Sequence, residues 1–151
     1  KICIMKIHHK TFEYLTKNEF HFIDVSDDVK NFVAESGIQN GIVNIQSLHT
    51  TAGILLNENE PLLLEDIKQH LEEMASKNKS YRHDDFSVRY VNLCDDECAN
   101  GHAHCKASHL CATATMNIIQ GKMQFGQWQR ILFIELDRPR KRNLQILAIG
   151  E

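Results

Sequence analysis

The segment NGHAHCKASH, residues 100–109, puts three histidines and a cysteine within ten positions. Imidazole is the commonest side-chain metal ligand and the side chain that titrates nearest neutral pH. The doublet His102-x-His104 therefore has two chemistries open to it, holding an ion or moving a proton. Backbone conformation decides between them. On extended chain, residues i and i+2 share a face and can grip one ion. On a helix they stand about 200° apart and cannot. Asn100-Gly101 reads as a turn and 102–113 as a helix of middling propensity, so a shared grip requires an extended entry to that helix. Partners must come from distant positions, and His49 and His83 are the candidates. Two or three histidines with a carboxylate make an open zinc-type site that leaves a position for water or substrate. A rival set, Cys94-x3-Cys98-x3-His102-x-His104, is compact but matches no standard finger spacing. The remaining alternative is that these imidazoles bond to backbone or face solvent.

Other residues widen the chemistry. His49 ends the strand-like stretch GIVNIQSLHT (41–50), where a sheet can project a side chain into a cleft. Thr50 and Thr51 add hydroxyls suited to phosphate oxygens, or simply fill strand positions. Glu58 and Asp66 flank the helix that starts at Pro61. A carboxylate there either caps free N–H groups or orients an imidazole and acts as a base. Asp66 lies more than a turn past Pro61, which argues against capping; a solvent-facing Asp66 paired with Lys68 or His70 is the alternative. Trp128 and Gln129 open a strand, where the indole either packs in the core or stacks on a ring. Arg138, Arg140, Lys141 and Arg142 surround Pro139 in a hairpin tip. Guanidinium forks match phosphate geometry, although solvated charges at a tip are equally expected.

Those positions need a scaffold. The 151 residues suffice for one domain, 1–151, with a full core. A 42% apolar and 25% charged composition is that of an ordinary globular chain. A net charge of −3 gives no electrostatic case for nucleic acid or a membrane surface. No apolar run approaches the roughly 20 residues a bilayer requires. Five unevenly spread cysteines make a poor disulfide framework and suggest reduced thiols in a cytoplasmic setting. KICIMKIHHK has no initiator Met and no signal-peptide core, which leaves upstream residues open.

Apolar alternation predicts strands over 2–9, 20–26, 41–50, 51–59, 123–137 and 143–150. In 123–137, Ile131, Phe133 and Glu135 face one way, Leu132, Ile134 and Leu136 the other. Ser26 is expected to cap a helix carrying Val29, Phe32 and Val33, ended by Gly37. Pro61 starts a second helix with Leu63, Leu64, Ile67, Leu71 and Met74 at helical spacing. The polar stretch 76–100 reads as the longest loop. Strands at both ends with two or three helices between them predict an α+β domain: mixed or antiparallel sheet with helices on one face.

Several stretches together resemble the YjbQ-like family, small proteins often described as secondary thiamine-phosphate synthases. They are SLHTTAGILLNENE (47–60), Asp66, YRH (81–83), NGHAH (100–104), GKMQFGQWQ (121–129) and DRPRKR (137–142). The resemblance runs from residue 41 to the C-terminus. It implies an α+β homotrimer whose polar site gathers His49, Glu58, Asp66, His83, His102 and His104. It also implies a divalent ion, zinc or magnesium, and a small phosphorylated substrate. On that basis His49, Glu58 and Asp66 are expected to be catalytic, and His83, His102 and His104 to hold metal. Thr50, Thr51, Trp128, Gln129, Arg140 and Arg142 are expected to bind substrate. The reaction implied joins a pyrimidine pyrophosphate to a thiazole phosphate and releases pyrophosphate. A metal-dependent phosphate-ester hydrolase and a non-catalytic, metal-stabilised homotrimer are the alternatives. Cys111, Asn117, Gln127 and Arg138 stand where many members of that family have Gly, Pro, Thr and Gly.

Overall fold

A computed structural model describes residues 4–151. Strand β7, Gln129–Glu135, shows how the layers arise. Its two faces are both apolar. Ile131 and Phe133 enter one buried cluster, Leu132 and Ile134 another that also holds Leu136. A strand buried on both sides needs a layer on each side. β7 is the middle of a three-stranded antiparallel sheet, between β2 (Phe22–Asp24) and β4 (Ala52–Glu58).

One face of that sheet meets a second, five-stranded antiparallel sheet. It is ordered β1 (Lys6–Leu15), β8 (Lys141–Gly150), β3 (Asn40–Ser47), β5 (Thr113–Ile119), β6 (Lys122–Met123). Val43, Ile45, Met116, Ile118, Leu144 and Ile146 fill the space between the sheets. Helix α1, Ser26–Ser36, adds Val29, Phe32 and Val33 to the same core. The opposite face of the small sheet is covered by α2 (Pro61–Met74) and α3 (Gly101–Ala107), through Leu71 and Ala103. The fold is thus α+β with purely antiparallel sheets and three helices, two of them on one face. No helix among the described residues is long and apolar enough to cross a membrane.

Several expected boundaries move, each for a local reason. The strand expected over 2–9 runs from Lys6 to Leu15, because Phe12 and Tyr14 pack inward on the β8 pairing; residues 1–3 lie outside the description. The helix expected over 102–113 stops at Ala107. Thr113–Ile119 alternates instead, burying Ala114, Met116 and Ile118 against β3, so its β-branched residues follow the sheet. Ser26 is the first helical residue rather than the cap. Its hydroxyl accepts the Ile131 N–H at 2.7 Å, which ties α1 to β7. Gly37 does close α1, at φ 64°.

Gly41 and Gly150 pair directly across β3 and β8. A Cβ at Gly41 would fall 2.1 Å from the Ile149 carbonyl oxygen and 2.7 Å from the Gly150 Cα. Backbone cannot yield as a side chain can. Gly41→Ala is expected to lose about 3 kcal/mol or more of stability in urea unfolding. Gly126→Ala, whose Cβ would meet nothing nearer than 3.7 Å, serves as the unaffected control.

Candidate functional site

The loop 75–100 and the end of the sandwich near Thr51 and Glu135 form the site. His83 sits in a single 3-10 turn, Arg82–Asp84. The turn is held by Asp84, whose Oδ1 accepts the backbone N–H groups of Asn100 at 2.9 Å and Gly101 at 2.8 Å. Those are N–H groups that the start of α3 cannot satisfy internally. Asp84 therefore caps α3 across the loop and brings the His83 turn against the helix. Gly101 permits the approach, since a Cβ there would lie 2.5 Å from the Tyr81 Cβ. Arg89 holds the rest of the loop. It donates to the carbonyls of His83, Val91 and Asn92 and pairs with Glu97 at 3.6 Å.

The result is an imidazole pair. The rings of His83 and His104 meet edge to face, with centroids 4.6 Å apart. The His83 Nε2 is buried and makes no hydrogen bond. Burial first, then the neighbouring His83 and Arg89 charges, pushes His104 below the usual imidazole range. The pair borders a cavity of about 830 Å³ that Thr50, Arg82, Arg89 and Glu97 also line. A smaller cavity of about 370 Å³ shares Glu97 and is lined by Arg138 and Arg140.

His102 does not join them. Both members of the doublet lie within α3, which turns them to different sides of the helix. His102 is buried with its Nε2 3.4 Å from Glu19, and burial pushes it toward the neutral form despite that carboxylate. The extended entry that a shared ion would need is absent, because helix begins at Gly101.

Around Thr51 the sequence-expected residues turn inward. Arg142 is buried and forks onto the carboxylate of Glu135, its Nε at 2.6 Å from Oε2 and its Nη2 paired with Oε1. Arg142 also donates to the Thr51 hydroxyl at 2.9 Å. Glu135 accepts the Thr16 hydroxyl at 2.8 Å and the N–H groups of Leu136 and Asp137 as well. Burial raises its pKa, but Arg142 and these donors outweigh that and hold it low. Arg142 and Thr51 consequently brace Glu135 in this chain. His49 accepts the Asn143 N–H on Nε2 at 2.7 Å, which fixes the Nδ1–H tautomer. Burial and the Arg142 charge push it toward neutrality. Arg140 shares Asp137 with Arg138, at 2.7 and 3.0 Å, and both remain partly exposed.

The other expected residues lie elsewhere in the chain. β4 leads from Ala52, beside Glu135, to Glu58, opposite Gln129. Six strand steps of about 3.3 Å separate those ends by about 20 Å. Glu58, Trp128 and Gln129 are thus remote from the imidazole pair of the same chain. Capping of α2 falls to Glu60, which accepts the N–H groups of Leu62 and Leu63 at 3.0 and 2.8 Å. Trp128 is 65% exposed rather than core. Asp66 is exposed on α2 and borders another cavity, with Glu19, Phe20 and Lys77. No group of three His, Cys, Asp or Glu side chains that could hold a metal ion occurs among the described residues. Cys94, Cys98, Cys105 and Cys111 are free thiols.

Asp84, Arg89, Glu97 and Glu135 did not stand out in the sequence. Each acts by reaching a partner far along the chain, and no local spacing marks such a contact.

Comparison with known proteins places the fold among solved and curated relatives. The family model described as UPF0047 protein YjbQ-like matches residues 10–151. A UPF0047 protein of Methanothermobacter thermautotrophicus is 35% identical over 147 residues, covering 97% of this chain and 95% of its own. The UPF0047 protein YugU of Bacillus subtilis is 32% identical, covering 93% and 98%. The crystal structure of a YbjQ-like protein of unknown function from Sulfolobus solfataricus superposes with a TM-score of 0.85 at 36% identity. The match covers 98% of this chain and all of that one. A hypothetical protein from Aeropyrum pernix gives 0.82 at 31% identity, over 95% and 99%. The chain belongs to the UPF0047 YjbQ-like family.

Proposed function

We propose that the His83–His104 cavity binds a small phosphorylated molecule and handles a proton on it, as a group transferase would. The observation that carries this reading is the imidazole pair itself: two rings 4.6 Å apart, one with a buried, unsatisfied Nε2, in a cavity lined by arginines. Buried polar atoms are normally satisfied, and an unsatisfied nitrogen on a ring that lines a cavity supports a ligand-binding reading. A neutral His104 can take a proton, while Arg82 and Arg140 supply positive charge for phosphate oxygens. The formation of thiamine phosphate, which the resemblance suggests, is the transfer to test first. A homotrimer in a reducing cytoplasm completes this reading, in keeping with the free thiols.

A resident zinc ion does not fit one chain as it stands. Catalytic zinc takes three protein donors, whereas the cavity offers two imidazoles and its carboxylate, Glu97, is paired with Arg89. His102 faces Glu19, and the His49 Nε2 already accepts a backbone N–H. The imidazoles are therefore assigned acid–base and hydrogen-bonding work.

The test is calorimetry of pyrophosphate with the purified chain, followed by an assay for thiamine phosphate with Mg²⁺ or Zn²⁺ supplied. His104→Ala is expected to lower any turnover by at least 100-fold, the scale of a lost general base, and Arg82→Ala to weaken pyrophosphate binding. Because His104 is held below the ordinary 6.5, turnover that needs its neutral form should persist through pH 6.5 and fall only in more acid solution. Absence of pyrophosphate binding to the parent chain would remove the reading.

A further inference from the structure

The smaller cavity, of about 370 Å³, is within the size range of small-molecule sites. Its lining carries both signs of charge, Arg138 and Arg140 from one segment, Asp96 and Glu97 from another. One buried carboxylate fixes both guanidiniums. Asp137, 5% exposed, accepts from Arg140 at 2.7 Å and from Arg138 at 3.0 Å. The Arg140 backbone is pinned as well, with its N–H on the Thr16 hydroxyl and its carbonyl on the Thr16 N–H. A guanidinium has five N–H donors, and Asp137 is the one acceptor that meets either side chain among the described residues. Glu97 is paired with Arg89, whereas the Asp96 carboxylate meets no cation among the described residues. Asn100 completes the lining. It is 6% exposed, and its side-chain oxygen has no hydrogen-bond partner. Asparagine just before a helix ordinarily caps it, yet the Asn100 side chain makes no capping bond. Asp84 accepts the N–H groups there instead. An amide released from that local work, buried and unsatisfied on a cavity wall, points to a partner from outside the protein.

We propose that this cavity binds a small α-amino acid as its zwitterion. The Arg138 and Arg140 forks take the carboxylate, whose planar geometry they match. The ammonium goes to the Asn100 Oδ1 and to Asp96. A plain anion satisfies less of the lining. A carboxylate or a phosphate dianion has only acceptors, so it leaves the Asn100 oxygen without a donor and meets the Asp96 charge. A plain amine leaves both guanidiniums unmatched. The ligand therefore needs a donor a few bonds from its anionic group, and the Asp96 charge favours an ammonium over a hydroxyl there. The site requires no phosphate in the imidazole cavity, so it goes beyond the proposed transfer.

Calorimetry with L-alanine, propionate and ethylamine tests this, since propionate lacks the ammonium and ethylamine the carboxylate. L-alanine is expected to bind the purified chain about ten-fold more tightly than either, the scale of one charge-assisted hydrogen bond. Arg138→Ala should weaken L-alanine and propionate alike. Asn100→Leu, which leaves no unsatisfied oxygen, should bring L-alanine down to the propionate level. If Asn100→Leu lacks the parent far-UV spectrum, Asp96→Asn, at an exposed position, should narrow the same gap. Cys94 lines the cavity and gives a second readout. Its alkylation by iodoacetamide, located by peptide mass spectrometry, should slow in L-alanine while that of the exposed Cys111 does not. L-alanine binding no tighter than propionate, inorganic phosphate matching L-alanine, or a gap that survives these variants would overturn the proposal and leave Asn100 to water. L-alanine binding without pyrophosphate binding would instead remove the transferase reading and leave the amino-acid site standing.

Discussion

Arg142→Ala is expected to lose about 3–5 kcal/mol of folding stability, the usual consequence of removing one member of a buried ion pair. The side chain lies between β7 and β8, where Glu135 is fully buried and Arg142 nearly so. Without the guanidinium, Glu135 keeps its bonds to Thr16 and to two backbone N–H groups. Its charge, however, has no counterpart and no water. The melting temperature should fall on the order of 10 °C. Most of the loss should return in Glu135→Leu/Arg142→Leu, which removes both charges and keeps apolar volume. The pH dependence gives a second check. In the parent, Glu135 titrates below its ordinary 4.5. Its contribution is complete above that pH and fades as acid carries the solution through the lower, folded value. In Arg142→Ala, burial dominates and raises the carboxyl instead. The difference in urea midpoint between parent and variant must therefore narrow on acidification. A constant difference from pH 7 to pH 4 would show that Glu135 is not the group left stranded.

Lys106→Ala is expected to lose about 3 kcal/mol, at the lower end for a buried pair because its partners retain some water. The ammonium is fully buried, 2.8 Å from Glu19 and 2.5 Å from Glu72, and lies over the Phe20 ring at 4.7 Å. It joins three separate pieces: α3, α2 and the turn before β2. That turn carries Phe20 at φ 58°, a conformation that costs a non-glycine residue roughly 1 kcal/mol or more and needs outside support. The loss should be concentrated there. Amides of α3 should lose hydrogen-exchange protection in Lys106→Ala more than those of β7. Lys106→Met, which keeps most of the apolar stem, should recover part of the stability but not the α3 protection. Since α3 presents His104 to His83, pyrophosphate binding should weaken along with that protection. Unchanged exchange in α3 would mean that Lys106 only fills space.

The periodic elements were legible in the chain because burial acts on them through local spacing. β7 shows two apolar faces, α2 shows a 3–4 repeat with proline at its first position, and Gly37 marks the end of α1. The segment 113–119 was harder. Its inward face is only three residues long, Ala114, Met116 and Ile118, and the apolar Ile119 on the outward side blurs the alternation until β3 lies beside it. Ser26 has the composition of a cap, yet its hydroxyl is taken by a backbone N–H more than a hundred residues later. Among the site residues, the family motifs marked both His83 and His104, and the 200° rule for helices already contained the separation of His102 from His104.

Residue types and their spacing determined the α+β architecture, the long 76–100 loop and the clustering of histidines in the chain. They could do so because secondary structure and apolar faces follow periods of a few residues. Only the tertiary structure decided which polar groups meet. It placed Arg142 on Glu135, Asp84 on the start of α3, and Glu58 and Trp128 far from the histidines they accompany in the family motifs. Such pairings join positions tens of residues apart, and the energy of a buried polar contact depends on what surrounds it after the sheets have closed.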